Sequence, residues 1–125
     1  MKLEELEVYQ LALEISYMAW DIYLELPKEF RFSFNQQFLD SSDSIGANIT
    51  EGFGRYHYKD SLKFYYNARA SLFESDYWIK RFIKRKLISS DTFIQFTSLI
   101  EIEKPKLNSF INSIKSKSHQ LTNNQ

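Results

Sequence analysis

The sequence predicts an all-α protein, an up-down-up-down four-helix bundle. Apolar residues recur at three- and four-residue spacing through most of the chain, the period that puts side chains on one face of a helix. Three glycines and two prolines in 125 residues are too few turn formers for a many-stranded β protein. The periodic stretches are separated by short breaks, and short connections make successive helices antiparallel. The length fits one domain with a buried core, expected over residues 1–117, followed by a polar, disordered tail over 118–125.

The first helix is expected from Leu3 to Leu26, stopped by Pro27 because a residue before proline is disfavoured in the helical region. Val8, Leu11, Ile15, Met18, Ile22 and Leu26 form one apolar stripe. Tyr9, Leu13, Tyr17, Trp20 and Leu24 form a second on roughly the opposite side, with Glu7, Glu14, Asp21 and Glu25 between them. A helix on the surface of a monomeric bundle needs one stripe, so the second is read as a subunit interface.

The second helix is expected to start at Ser33, with Gln36 completing a capping box, and to end at Gly52, where a residue tolerant of positive φ is favoured. Phe34, Phe38, Ser41, Ile45, Asn48 and Ile49 make its inner face. The third helix is expected from Tyr58 to Leu87, with Phe64, Ala68, Ser71, Leu72, Ser75, Ile79, Phe82 and Ile83 towards the core. Its other side is basic and aromatic: Lys59, Lys63, Tyr66, Phe73, Tyr77, Lys80, Lys84 and Arg85. Tyr66 and Phe73 join the expected oligomer interface, where this side would meet the acidic line of a neighbouring first helix. The fourth helix follows the N-cap cluster Ser89-Ser90-Asp91 and is expected to reach Lys117, with Pro105 kinking it or breaking it near Ile102.

Sixteen basic and sixteen acidic residues balance, so no net charge draws the chain to nucleic acid or membrane. Without cysteine there is no disulfide, thiolate metal site or cysteine nucleophile. Glu4, Glu5 and Glu7 stand where a secretion signal would need basic and apolar residues, and no apolar run has the length of a membrane span. A cytoplasmic location is expected.

Several candidate sites can be weighed. Ser44, Asn48, Glu51 and Arg55 share a face near the end of the second helix and read as a hydrogen-bonded lock between helices, rather than a binding acid with its partners. Gly52-Phe53-Gly54-Arg55 reads as a turn, since a helix C-terminus repels the anion that a phosphate loop would cradle. Lys80, Arg81, Lys84, Arg85 and Lys86 form a dense basic cluster beside Tyr77 and Phe73, a candidate nucleic-acid surface extended by Lys59 and Lys63. His57 and His119 lie far apart with no helical Glu-x-x-His pairing, so no metal or cofactor is expected. Glu51 and Glu74 are the residues an enzyme reading would have to use, and no nucleophile, base and orienting group assemble around them. Asn48-Ile49-Thr50 matches a glycosylation sequon, but it falls in a predicted helix of a chain with no expected secretion signal and is read as accidental.

The run Ser-Ile-Gly-Ala-Asn-Ile-Thr-Glu-Gly-Phe-Gly-Arg from Ser44 to Arg55 resembles the hallmark of a bacterial family, the four-helix-bundle proteins encoded in intervening sequences of 23S ribosomal RNA genes. Lys59-Asp60, Phe64, Ala68, Ser71-Leu72-Phe73-Glu74 and the opening Leu6-Glu7-Val8-Tyr9-Gln10 continue the likeness. The resemblance implies a left-handed bundle assembled as a ring-shaped homopentamer, with no enzymatic activity. A related branch, the accessory proteins of diversity-generating retroelements, is similar in fold and binds nucleic acid through a strongly basic surface. Here Leu39 and Asp40 stand where many relatives carry an arginine pair, and Asp43 adds a negative charge. The expectation is a scaffold or accessory subunit whose partner is itself, with nucleic-acid binding as the alternative.

Overall fold

The structure, a computed structural model, describes residues 1–123. It contains four α-helices and, among the described residues, no strand: α1 (Glu7–Glu25), α2 (Phe34–Phe53), α3 (Tyr58–Lys84) and α4 (Ser90–Asn123). Each helix packs on its chain neighbours, and α1 also meets α4, so all four surround one apolar core.

The helix ends show how the sequence sets the elements. Leu3–Glu5 is a separate 3-10 turn, and Leu6, extended at ψ 122, restarts the chain as α1. Leu26 adopts ψ 151 before Pro27, the extended conformation that proline imposes on its predecessor. The capping box at α2 does not form: Ser33 Oγ donates backwards to Phe30 O, and Gln36 Nε2 donates to Asp40. Asn35 takes over the tethering role, fully buried and donating to Pro27 O at 2.8 Å. Nor does Gly52 end the helix. α2 continues to Phe53, its C-cap Gly54 has φ −76, and no glycine has positive φ. Gly52 is required for space instead, because a Cβ there would sit 2.5 Å from Tyr65 Cε1.

α3 stops at Lys84, short of Leu87, through a Schellman closure in which the Leu87 N–H bonds Phe82 O and the Lys86 N–H bonds Ile83 O. The left-handed residue of that closure is Lys86, at φ 60. Ser89 caps α4, its Oγ accepting the Thr92 N–H at 3.1 Å. α4 runs unbroken through Pro105 and past Lys117 to Asn123. The tail expected to fray is therefore helical over 118–123, and residues 124–125 lie outside the described residues.

The core corrects several facing assignments. Ala12 and Ala19 are fully buried on α1, whereas Leu11 and Met18 are half-buried. On α3, Ser61, Tyr65 and Asp76 are buried, while Phe64, Ser71 and Ile83 are half-covered. Phe34, Phe82, Phe38 and Phe96 form a chain of tilted and edge-to-face ring contacts at centroid spacings of 5.0 to 5.9 Å. Where α2 approaches α3 the core is polar. Ser42 Oγ donates to Ser75 Oγ, and Ser75 contacts Ser41 Oγ and Ser71 O, each at 3.0 to 3.1 Å. Small hydroxyl side chains that satisfy one another allow close helix approach without leaving buried polar atoms unpaired.

Candidate interaction surfaces

The α2 terminus gathers the polar set differently from a buried lock. Asn48 Nδ2 donates to Ser44 O within its own helix at 2.8 Å. Glu51 and Arg55 form an exposed ion pair at 2.7 Å, and the Arg55 guanidinium lies 4.5 Å from the Phe64 ring of α3. Glu51 is thus not a buried carboxylate. What joins α2 to α3 is the Ser41–Ser42–Ser75 cluster and the fit of Gly52 against Tyr65.

The basic and aromatic side of α3 divides in two. Lys59 and Lys63 sit near its start and Lys80 to Lys86 near its end, separated along the axis by about 25 Å at 1.5 Å per residue. Tyr66, Phe73 and Tyr77 are exposed along the face. Three of the grouped cations are already engaged. Lys80 pairs with Asp76 at 2.8 Å, and half-buried Arg81 lies 5.4 Å from the Tyr77 ring. Arg85 lies over Phe34 and Lys63 over Phe64. Among the described residues, Lys59, Lys84 and Lys86 have no carboxylate within ion-pairing distance.

The outer side of α1 is apolar and open. Tyr17, Trp20 and Leu24 are 67%, 50% and 55% exposed, and Trp20 stacks on Tyr23 at 5.7 Å. Tyr9 and Leu13, earlier on the same stripe, are half-covered within the chain.

Two buried acids escaped the sequence reading. Asp76 joins α3 to α4 through Lys104 Nζ at 3.0 Å, in addition to Lys80. Burial alone would push its carboxyl up, but the two ammonium groups together outweigh burial and hold it below the usual carboxylate range. Glu103 is fully buried, and neither carboxylate oxygen has a hydrogen-bond partner. Burial, reinforced by the negative charge of Glu7 and opposed by Lys106, pushes its carboxyl up to about 8. A signal for Glu103 was present, since it falls on the stripe Phe96, Ile100, Leu107, Ile111, Ile114 at helical spacing. Among the described residues, no three His, Cys, Asp or Glu side chains come together as a metal site, and no helix is long and apolar enough to cross a membrane.

The 23S rRNA-intervening sequence protein model matches residues 4–109, spanning α1 to α3 and the first half of α4. The chain belongs to that family. A solved structure of similar fold is described as a protein with unknown function from the S23 ribosomal protein family of Bacteroides thetaiotaomicron. It is 26% identical, superposes with a TM-score of 0.77, and the likeness covers 83% of this chain and 97% of that one. No curated protein matches the chain. The family match takes in the whole Ser44–Arg55 run, which in this member ends in an exposed ion pair.

Proposed function

We propose that this member of the 23S rRNA-intervening sequence family is a non-enzymatic, cytoplasmic scaffold or accessory subunit that works as a homo-oligomer. The observation that carries the reading is the exposed Tyr17–Trp20–Leu24 stripe, on a helix whose opposite side already packs Ala12, Ile15, Ala19 and Ile22 into the core. An amphipathic helix of a monomer needs one buried side, and a contiguous apolar patch marks a contact surface. Paired cross-helix contacts support an up-down-up-down course: Ala12 with Gly46 and Ser16 with Asp43, Ser42 with Ser75 and Gly52 with Tyr65, Arg69 with Asn108 and Asp76 with Lys104. In that arrangement α1 and α3 lie diagonally, so their outer faces point apart. Joining α1 of one copy to α3 of the next is then a head-to-tail contact, the type that builds a ring when its rotation closes. A ring of five is what the family resemblance implies. Trp20→Glu with Leu24→Glu should leave the helix content unchanged and dissociate the assembly in sedimentation. An assembly that survives both charges would exclude this face as the contact.

The basic end of α3 favours a second reading, nucleic-acid binding. Lys84 and Lys86 have no carboxylate beside them and Tyr77 is exposed for stacking. Binding of that kind weakens steeply with salt, and Lys84→Glu with Lys86→Glu should abolish it.

A further inference from the structure

The sparsest of the four helix–helix seams is the one between α1 and α4. A groove of about 690 Å³ opens along it, lined by Leu6, Glu7, Val8, Ile102, Pro105 and Lys106. Among the described residues a single ion pair, Lys106 Nζ to Glu7 Oε1 at 2.8 Å, crosses the seam. Pro105 weakens the α4 turn beneath, because it has no N–H to give the Glu101 carbonyl. On the core side of that same turn lies Glu103, with no exposed surface and no partner for either oxygen. An ionised carboxylate cannot remain there unpaired, and even the neutral acid forfeits its hydrogen bonds. The sparse seam, open groove, proline turn and orphaned acid coincide within about one helical turn.

We propose that Glu103 is a proton-operated latch on the α1–α4 seam: while the carboxyl keeps its proton it stays in the core, and on releasing that proton to solvent the carboxylate swings out between the helices and the seam opens. The charged surroundings suit this. From α1 the facing charge is Glu7, which repels the carboxylate, and from α4 it is Lys106, which attracts it towards the groove. Lys104 is held by Asp76 of α3 and by Glu101. α2 brings no charged side chain into the core; its buried polar residues are Asn35, Ser41 and Ser42. Among the described residues no cation inside the bundle pairs with the ionised acid, and the outward path leads to Lys106, the cation of the ion pair that crosses the seam.

The test is methyl NMR of the full chain, following Val8, Ile100, Ile102 and Leu107 from about pH 4 to about pH 10. These methyls should move together with a midpoint between the ordinary 4.5 and about 8, because escape of the carboxylate to the groove makes the proton easier to lose than from a fixed buried acid. The transition should be missing in Glu103→Gln. Glu7→Gln should lower the midpoint and Lys106→Met should raise it, each changing the proton affinity about threefold. Those opposite shifts decide the matter if Glu103→Gln does not fold. The proposal is overturned by methyls that stay fixed across the range, by a transition that persists in Glu103→Gln, or by midpoints indifferent to Glu7 and Lys106.

Discussion

Glu103 lies between Ile100 and Leu107 on the buried stripe of α4, where every neighbour along the helix face is apolar. Its carboxyl titrates at an ordinary 4.5 in the unfolded chain and at about 8 in the fold. Between those values the native state holds a proton that the unfolded state has released. Stability is therefore greatest below 4.5 and is lost as pH rises towards 8, this group alone lowering the folding constant about tenfold per pH unit. Urea denaturation of Glu103→Leu should show that slope removed, with a gain of about 1–3 kcal/mol at neutral pH. Asp76 has the opposite sign. Its pKa is depressed in the fold, so its contribution is present above the ordinary 3.8 and disappears as pH falls through the lower folded value. Asp76→Asn should cost about 1–3 kcal/mol at neutral pH, a penalty that fades in strong acid when followed by thermal denaturation. Lys86 is a third residue out of its preference, an L side chain at φ 60. Lys86→Gly should raise the melting temperature through a gain of about 1 kcal/mol.

At the scale of the element, the end of α2 separates two glycines that look equivalent in sequence. A methyl at Gly52 meets the Tyr65 ring, whereas one at Gly54 meets only Thr50 and Glu51 carbonyls at an ordinary 3.6 Å. Gly52→Ala should cost about 1–3 kcal/mol in denaturant titration, and Gly54→Ala should be neutral or stabilising by about 0.4–1 kcal/mol. Helix number, the Pro27 stop and the Ser89 cap were legible because each depends on local backbone rules. The Gly52 contact was not, because it depends on a ring from another helix. The Ser33–Gln36 box failed for a different reason. The Ser33 N–H and Oγ are both committed to Phe30 O in the preceding 3-10 turn, and Gln36 reaches forward to Asp40. Neither partner of the box is free to cap, and the turn that engages Ser33 is not contained in the capping pattern. Asp76 and Glu103 were legible in principle from the spacing of their apolar neighbours. A charge on a core stripe is easily discounted when its partners, or their absence, lie on other helices.

For the whole molecule, the balanced charge of the chain conceals an uneven distribution. Acidic residues line α1 and unpaired lysines end α3, so identical copies present complementary surfaces. The apolar stripe of α1 supplies area at such a contact, while the charges set register. That the stripe faces outward follows from Ala12 and Ala19 filling the core side, small residues that draw α1 close to its neighbours. The most direct measurement is the solution mass by light scattering at low and high salt, with and without a structured RNA. The account predicts a salt-stable particle of about five 15.0 kDa chains, unchanged by RNA. A particle of 15.0 kDa at every salt concentration would contradict it and leave the outer faces of α1 and α3 for another partner.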